Sequence, residues 1–488
     1  MLTAATTDSA VREFYGSFIN GEEVGESAAS TFETRNPANG QVLTVIQEGG
    51  QALVDQAVAN SRAAFPAWRD LPGVEKGRIL LAISRKILEN KDLLVTLESL
   101  DNGKSQMDAT FDVITAARYF EYYAGMADKL GGETIPLPGT HISYTRPEPF
   151  GVTAHIVPWN AAFQQAARGV APALAAGNTA VVKPAEDTSI STLVMARLAL
   201  EAGLPAGVFN VVTGLGSTTG AALVSHPQVS RITFTGSVPT GQAIMRAAAE
   251  HLNPLTLELG GKAPNIIFED ADLKAAIPGS LMAININAGQ VCAAGSRLLV
   301  HRSLHDEVVE GLVALNRQVK LGPAASGSSM GAITTAAQYA KIQEYLEIGK
   351  AEGARAVIGG SAATDGELAQ GQFIQPTIFT GVDNSMRIAQ EEIFGPVLSV
   401  IPFDSEEDAV RIANDTKYGL TAGLWTRDLG RAHRVAAQIE AGQVTVNDFF
   451  AGGVQAPFGG YKNSGFGREK GTHALSEYLQ TKTVSIKL

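Results

Sequence analysis

Short apolar runs alternate with amphipathic stretches from about residue 150 onward. The apolar runs are bounded by glycine, proline or polar residues, which predicts short buried strands. Between two of them, residues 188–202 place Ile190, Leu193 and Leu198 on one helical face and end at Gly203. The predicted strands are 152–157, 179–182, 208–212, 232–235 and 255–259, with a second helix at 239–251. This order predicts parallel pairing and a nucleotide-binding α/β layer.

The remaining parts of the chain have different patterns. Residues 50–128 are mostly helical by pattern, whereas glycines and prolines punctuate an extended arm at 131–149. Residues 479–488 alternate between two faces and predict a terminal strand. Arm and terminal strand either add to a partner's sheet or complete their own domain. A second α/β layer is predicted after Gly260, with strands at 298–301, 397–403 and 443–447 and a helix at 304–319.

Composition limits the class of protein. The chain has 488 residues, 45% of them hydrophobic and 18% charged, which predicts two or three globular domains. A formal charge of −11 argues against a nucleic-acid partner. We find no signal-peptide pattern in residues 1–22 and no membrane-spanning run, so the expected location is the cytoplasm. The eight histidines form no cluster with cysteine, so no metal site is predicted.

Cys292 is the one cysteine of the chain and follows Gly289 in a stretch of small residues. A single cysteine has no partner for an internal disulfide, which indicates a free thiol in a reducing compartment. Glu258 ends an apolar strand, where desolvation would raise its pKa and suit a general base. Asn160 follows another strand end and can donate to an oxyanion. The alternatives are a buried structural cysteine, a solvated glutamate and a helix-capping asparagine.

Two motifs favour a dinucleotide. Gly236 and Ser237 close a strand and open a helix, where backbone N–H groups attract phosphate; the simpler alternative is a tight turn. Lys183 and Glu186 follow a predicted strand end, where α/β proteins bind ligands. A carboxylate there would repel a 2′-phosphate and so favours NAD, which leaves NADP as the second choice. The simpler alternative for this pair is a surface ion pair.

These motifs together resemble the NAD(P)-dependent aldehyde dehydrogenase superfamily from about residue 15 to the C-terminus. No motif is specific alone, but their order is. The matching segments are Phe18-Ile19-Asn20-Gly21, Pro158-Trp159-Asn160, Lys183-Pro184-Ala185-Glu186, Phe234-Thr235-Gly236-Ser237, Leu257-Glu258-Leu259-Gly260-Gly261-Lys262, Gly289-Gln290-Val291-Cys292, Glu391-Glu392-Ile393-Phe394-Gly395-Pro396 and Pro457-Phe458-Gly459-Gly460.

The resemblance implies a mechanism. Cys292 would attack the aldehyde as a thiolate, with Asn160 and the Cys292 backbone N–H holding the oxyanion. Hydride would move to the nicotinamide, and Glu258 would activate the water that hydrolyses the thioester. Glu469 matches a second carboxylate linked to proton movement. The resemblance assigns Lys183 and Glu186 to the adenosine ribose, Ser237 to the pyrophosphate, Glu392 and Phe394 to the nicotinamide and its ribose, and Ile156, Pro158, Trp159, Gly236 and Leu259 to the cofactor surface.

The resemblance also implies an α/β fold with a Rossmann-type cofactor domain, an α/β catalytic domain and a small β oligomerisation arm. The expected domains are 1–128 with 150–259 for NAD, 260–462 for catalysis, and 129–149 with 463–488 for the arm and tail. A homodimer or homotetramer is expected. The presence of Glu258 argues for hydrolysis rather than transfer to coenzyme A. One departure is Gly169, where many relatives carry a lysine linked to proton relay.

The predicted substrate pocket is wide. Ala161 stands where relatives carry phenylalanine, and Gly452 aligns with an often aromatic position, while Phe450 and Phe458 remain. Arg168 either pairs with a carboxylate or phenolate of the substrate or forms a structural ion pair. We therefore predict oxidation of a bulky, aromatic aldehyde. The alternatives are a succinic-semialdehyde-type enzyme with Arg168 as carboxylate clamp and a non-catalytic structural member.

Overall fold

A computed structural model describes residues 10–25 and 30–488. Residues 1–9, which begin both the predicted first domain and the segment searched for a signal peptide, lie outside the described residues. The described chain forms two large sheets flanked by helices, together with smaller sheets. The α-helices are Gly50–Asp70, Gly73–Glu89, Lys91–Asn102, Gln106–Ala124, Ala162–Ala175, Ile190–Glu201, Ala221–Val224, Val238–Ala249, Leu273–Asn285, His305–Asn316, Ala336–Ala351, Arg387–Gln390, Glu406–Asn414, Leu429–Gln438 and Gly471–Glu477.

The first large sheet has eight strands and a parallel centre. Its central strands are buried on both faces, as expected for a parallel sheet between layers of helices. Antiparallel strands close both edges. In spatial order the strands are Gly465–Phe466, Leu255–Glu258, Arg231–Thr235, Val152–Ile156, Thr179–Lys183, Phe209–Val211, Ser17–Ile19 and Glu22–Val24. The predicted strands and helices of this layer are confirmed, and their predicted ends differ from the observed ends by no more than two residues.

The parallel centre is a doubly wound sheet. Counted along the chain, its strands have the spatial order 3-2-1-4-5. The order reverses between Val152–Ile156 and Arg231–Thr235, which pair in parallel. Ligands of open α/β sheets bind beyond the carboxyl ends of the strands at such a reversal. Pro158–Asn160 and Gly236–Ser237 follow these two strands, so the fold brings both motifs to that edge.

The second large sheet has seven strands and carries the thiol-bearing half of the chain. All its neighbouring pairs are parallel except the edge pair of Arg355–Ile358 with Thr377–Thr380. The three strands predicted here are confirmed, and four others were not predicted. The spatial order is Arg355–Ile358, Thr377–Thr380, Val397–Phe403, Arg297–His301, Pro264–Ile267, Thr421–Trp425 and Gln443–Val446. Smaller sheets contain Phe14–Tyr15, Val42–Gln47 and Thr31–Arg35, and Tyr418–Gly419 with Tyr461–Lys462.

The predicted arm and terminal strand pair with each other. His141–Pro149 and Leu479–Lys487 are antiparallel partners along nine residues each, and Thr134–Ile135 adds a third, short strand. The rest of the predicted tail has different contacts, because Gly465–Phe466 joins the first large sheet and Tyr123 Oη donates to the Gly471 carbonyl at 3.0 Å. In the ranges 10–25 and 30–488, no helix combines the length and apolar character needed to cross a membrane.

A buried ion cluster joins the helices that flank the first sheet. Lys104 Nζ lies 3.2 Å from Glu98 Oε2 and also pairs with Asp112, and these side chains are at most 10% exposed. The Ser191 hydroxyl donates to the other Glu98 oxygen. Burial raises the pKa of Asp112 to about 6 although Lys104 opposes the shift. One ammonium therefore compensates two carboxyl groups that have little contact with water.

Replacing Lys104 by methionine should destabilise this helical block by roughly 3–5 kcal/mol, because both carboxyl groups stay buried without a cation. Thermal unfolding measures the loss. It should be smaller at low pH, because protonation removes the charge of Asp112, whose folded pKa is raised to about 6. Lys86→Met is the matched control, since its pair with Glu89 is exposed and is worth at most about 1 kcal/mol. Equal unfolding temperatures for the two variants would contradict a structural role of the cluster.

Candidate active site

Two cavities meet at Cys292. The larger has a volume of about 490 Å³ and the smaller about 160 Å³, and Cys292 and Asn160 line both. Glu258 lines only the smaller one, with Gly236, Ser237, Glu392 and Phe394. The structure therefore brings together the thiol, the amide and the carboxyl group that the sequence singled out. It also separates the expected cofactor side from the expected substrate side.

Left-handed backbone positions the thiol. After the helix Leu273–Asn285 the chain turns through Asn287, Ala288 and Gly289 with φ of 49°, 52° and 71°. A Cβ on Gly289 would lie 2.2 Å from the Gly395 backbone, so only glycine fits there. These turns explain the small residues before Cys292.

The passage between the two large sheets is equally tight. A Cβ on Gly261 would lie 2.3 Å from the Cys292 carbonyl oxygen, and one on Gly260 would lie 2.3 Å from Glu392 Oε2. The Gly261 N–H donates to Glu392 Oε1 at 2.9 Å. The two glycines therefore let backbone, thiol segment and carboxyl group approach one another.

The thiol is desolvated. Burial raises the pKa of Cys292 to about 12, and the positive charges of Arg168 and Lys470 oppose this shift. The neutral thiol is therefore the main form at neutral pH. Because the thiolate is the nucleophile, a group that removes the proton or a cation that stabilises the anion is needed for reaction.

Glu258 ends the strand Leu255–Glu258 and is 1% exposed. Neither of its carboxyl oxygens has a hydrogen-bond partner among the described residues. Burial, followed by the nearby charge of Glu469, raises the pKa of Glu258 well above its usual value. This agrees with the desolvation predicted from its place at an apolar strand end. Such a carboxyl group can accept a proton near neutral pH.

The Asn160 amide is held next to the thiol segment. Its Nδ2 donates to the Gln290 carbonyl at 2.8 Å, and Asn287 Nδ2 donates to the Asn160 carbonyl at 2.9 Å. A side-chain amide has two N–H donors, so one bond to Gln290 leaves a second N–H. The side chain is therefore fixed between the two cavities with one donor to spare.

Arg168 and Glu469 form a buried ion pair, each 6% exposed. Burial raises the pKa of Glu469, although Arg168 opposes the shift. The Arg168 guanidinium carbon lies 5.4 Å from the centre of the Phe458 ring, and Arg168 Nη2 lies 3.4 Å from Thr235 Oγ1. Of the two roles that the sequence left open for Arg168, the structure supports the internal ion pair. A substrate carboxylate would have to compete with Glu469 for this guanidinium.

The predicted adenosine-side residues lie at the carboxyl edge of the first sheet. Lys183 Nζ donates to Glu186 Oε2 at 2.8 Å. Burial raises the pKa of Glu186, but Lys183 more than offsets this, so the net shift is downward. Ser237 caps the helix Val238–Ala249 through the Thr240 N–H. A Cβ on Gly236 would collide with the Phe234 ring at 2.4 Å. In the first turn of this helix Pro239 has no N–H and Thr240 donates to Ser237, so the Val238 N–H is the one left open to an anion.

The nicotinamide-side residues form an aromatic corner. Trp159 and Phe394 meet edge to face with ring centres 5.3 Å apart, and both line the smaller cavity with Pro158. Ile156 ends the strand that leads there. The Leu259 N–H donates to the Ser464 carbonyl at 2.9 Å, which holds the segment after Glu258. Gln338 and Lys341 also line this cavity and were not predicted.

The larger cavity has a mainly apolar lining. Ala161, Arg168, Phe450 and Phe458 line it as predicted, whereas Gly452 does not. A side chain at Gly452 would point toward Ala456 and Gln443. The neighbouring residues Ala451 and Gly453 line the cavity instead. Residues that sequence reasoning missed include Asp108, Phe111, Asp112, Thr115, Tyr119 and Lys470. All but Lys470 share one face of the helix Gln106–Ala124, a spacing that the helical pattern already contained.

Fold and site together define an α/β enzyme of the doubly wound nucleotide-binding type, with a thiol between two cavities. The aldehyde dehydrogenase family profile matches residues 24–484. The chain therefore belongs to the aldehyde dehydrogenase family. The predicted family, fold class and enzyme class are confirmed.

Individual relatives cover almost the whole chain. It is 45% identical to betaine aldehyde dehydrogenase of Bacillus subtilis over 96% of both chains. It is 42% identical to 4-trimethylaminobutyraldehyde dehydrogenase of Homo sapiens over 94% of both chains. Among solved structures, the NAD+ complex of aldehyde dehydrogenase from Bacillus cereus is similar with a TM-score of 0.96 and 42% identity, covering 100% of this chain and 99% of that one.

Substituting alanine for Gly261 should displace the Cys292 segment, because the new Cβ would lie 2.3 Å from the Cys292 carbonyl oxygen. We expect a stability loss of roughly 1–3 kcal/mol and a fall in kcat on the order of 10²-fold. Steady-state kinetics and thermal unfolding measure the two effects. Gly131→Ala is the control, since a Cβ there meets nothing within 4 Å. Wild-type kcat in Gly261→Ala would refute the claim that this contact positions the thiol.

Proposed function

We propose that the protein oxidises an aldehyde to a carboxylic acid with NAD, through an acyl group carried by Cys292. The observation that carries this proposal is the position of Cys292 between two cavities, with Asn160 beside it and Glu258 in the smaller one. The relatives named for aldehyde oxidation and the solved NAD+ complexes support the same reaction.

The smaller cavity and its surroundings fit a dinucleotide. An aromatic corner of Trp159 and Phe394 suits a flat ring, and the half-buried carboxyl group of Glu392 can accept hydrogen bonds from ribose hydroxyl groups. We assign the pyrophosphate to Gly236 and Ser237 and the adenosine ribose to Lys183 with Glu186. The carboxylate of Glu186 disfavours a 2′-phosphate and hence NADP. When bound, NAD supplies the acceptor for the hydride.

The residues of this chain perform the remaining steps. Cys292, as thiolate, attacks the carbonyl carbon and forms a thiohemiacetal whose oxygen becomes negative. The second Asn160 N–H and the Cys292 backbone N–H donate to this oxygen. After oxidation the carbon stays bound to Cys292 as a thioester. Glu258 then takes a proton from a water molecule, which attacks the thioester and releases the acid. The raised pKa of Glu258 suits this step.

Replacing Glu258 by glutamine should stop the reaction after thioester formation. Rapid mixing with NAD and aldehyde should give about one NADH per active site, followed by turnover reduced roughly 10²–10⁴-fold. In the wild type, kcat should rise with pH, because the raised pKa keeps Glu258 protonated at lower pH. Cys292→Ala is the control and should give no NADH burst. Wild-type turnover by Glu258→Gln would refute the assigned role.

We propose a bulky aldehyde, aromatic in the first place, as substrate. The 490 Å³ cavity accommodates a ring, and Phe111, Phe450 and Phe458 offer apolar contacts. The internal pair with Glu469 argues against Arg168 as clamp of a small semialdehyde. Asp108 and Asp112 line the same cavity, but Asp112 is engaged by Lys104 and Asp108 accepts from Ser105 Oγ at 2.7 Å. These carboxyl groups are therefore already partnered in the absence of a cationic substrate.

Initial rates of NADH formation on benzaldehyde, vanillin, hexanal, succinic semialdehyde and betaine aldehyde test this choice. We expect the highest kcat/KM on the two aromatic aldehydes. Arg168→Ala should lower kcat/KM for all substrates by a similar factor, because it leaves Glu469 without its partner. A maximum on succinic semialdehyde that disappears in Arg168→Ala would restore the carboxylate clamp. A maximum on betaine aldehyde would show that the acidic residues bind a quaternary ammonium group.

We further propose that the ribbon of His141–Pro149 and Leu479–Lys487 joins a second copy of the chain into a dimer or tetramer. Leu479–Lys487 is the edge strand of its sheet and is mostly exposed. Exposed strand edges have unpaired N–H and C=O groups and favour pairing between chains.

A further inference from the structure

Lys470 is the cation of the larger cavity that the assigned reaction does not use. It lines this cavity together with Cys292. Its backbone has φ of 60° and ψ of 169°, a conformation rare for a side chain of this kind, just before the helix Gly471–Glu477. The buried neighbour Glu469 exchanges backbone hydrogen bonds of 2.7 Å with Phe458 in both directions. The loop is thereby fixed, and it directs Lys470 into the cavity.

Within residues 10–25 and 30–488, the Lys470 ammonium has neither an ion-pair partner nor a hydrogen bond. The ammonium lies over the Phe458 ring, whose centre is 4.8 Å from Lys470 Nζ. An aromatic face attracts a cation but accepts no strong hydrogen bond. The three N–H donors of Lys470 therefore have no strong acceptor in this part of the protein.

The other charged residues lining the cavity are partnered inside the chain. Arg168 pairs with Glu469, and Arg118 pairs with Glu121 at the surface. Asp112 pairs with Lys104, and the Asp108 carboxylate accepts a hydrogen bond from Ser105. Among the charged residues that line this cavity, Lys470 is thus the one whose side chain has no ion pair or hydrogen bond within the described residues.

The two carboxyl groups that influence Lys470 electrostatically do not cancel its positive charge. Glu258 and Glu469 both act on Lys470, as do Arg168 and the Cys292 thiol. Glu469 is already compensated by Arg168. The pKa of Glu258 is raised well above its usual value, which favours its neutral form. The cavity beside the thiol therefore has positive potential while Lys470 is protonated.

We propose that Lys470 is a specificity-determining residue that binds an anionic substituent, a carboxylate or phenolate, of the aldehyde held at Cys292. This inference rests on the proposed function and adds the class of substrate to it. A ring-bearing aldehyde fills the apolar part of the cavity, and its charged substituent meets the ammonium without displacing an internal partner. Arg168, the cation singled out by sequence, lacks this property because Glu469 occupies it.

A pH dependence follows from the environment of Lys470. Burial, together with the charge of Arg168, lowers the pKa of Lys470 to about 8, although Glu469, Cys292 and Glu258 oppose the shift. The ammonium is present below this pKa and is lost as pH rises through it. Preference for an anionic aldehyde should fall in the same range.

The experiment compares two aldehydes of the same shape, 4-carboxybenzaldehyde and benzaldehyde. The readout is the ratio of their kcat/KM values, from NADH formation by the full-length protein. Effects of Lys470 on the Cys292 thiol act on both aldehydes and cancel in this ratio. We expect the ratio to fall roughly tenfold or more in Lys470→Met, the effect of losing a charge-assisted hydrogen bond. Lys470→Arg should restore most of it.

The pH profile supplies a second, independent measurement on unaltered protein. Between roughly pH 7 and pH 9 the wild-type ratio should decline, because the Lys470 pKa is about 8 and the substrate carboxylate stays ionised. In Lys470→Arg the ratio should stay constant, because a guanidinium keeps its charge. This arm decides the question even where Lys470→Met does not fold.

The possible results separate the two proposals. A ratio that is equal in wild type and Lys470→Met, or a wild-type ratio independent of pH, would overturn the assignment of Lys470. Absence of NADH from both aldehydes in the wild type would instead refute the proposed aromatic substrate class. Parallel loss of both activities in Lys470→Met with an unchanged ratio would limit Lys470 to an effect on the thiol.

Discussion

The close backbone passage at Gly260 and Gly261 is the constraint on which the site depends. The first large sheet ends there with Glu258, and the second begins at Pro264. A side chain at either glycine would occupy the position of Glu392 or of the Cys292 carbonyl. Absence of both side chains thus brings a carboxyl group from the first sheet, the thiol segment and Glu392 to one point.

Two buried carboxyl groups near the thiol, Glu258 and Glu469, share one guanidinium, and this shortage of positive charge sets their protonation. Glu258 and Glu469 interact unfavourably as anions, and Arg168 compensates mainly Glu469, with which it pairs. Two interacting carboxyl groups near one guanidinium release their protons in separate steps. The carboxyl group without a partner, Glu258, therefore holds its proton to a higher pH. The same burial keeps the Cys292 thiol protonated. Glu258 and Cys292 therefore ionise only when a ligand changes their surroundings or when the pH rises.

The sequence predicted all five strands of the parallel centre of the first large sheet. Arg231–Thr235 and Thr179–Lys183 are buried at every residue, as expected for the centre of a parallel sheet that is covered on both faces. Gly465–Phe466 was not predicted, because two residues carry no periodicity and their pairing with Leu257 and Glu258 is set by tertiary contacts. The domain limits stay predictions, although the tail segment before Leu479 has its contacts with the first sheet.

The candidate site was predicted where a motif carries its residues and was missed where only tertiary contacts place them. Cys292, Glu258 and Asn160 were recognised from motifs, and the fold brings them together. The far wall of the larger cavity was missed, because chain spacing does not reveal that the helix Gln106–Ala124 faces the segment 450–458. Gly452 was assigned to the lining by register alone, but its φ of 115° turns that position toward Ala456. Lys470 gave no pattern, since its position depends on one unusual backbone conformation.

Gly169 shows how one substitution changes the charge near Glu469. A Cβ at this position would lie 2.7 Å from His155 Nδ1, so the imidazole takes the space through which a longer side chain would leave the helix. Burial lowers the pKa of His155 to about 3, and its ring stacks on Tyr478 with centres 5.9 Å apart. A neutral ring thus stands where the family resemblance places a lysine. This chain therefore compensates Glu469 through Arg168, with which it pairs.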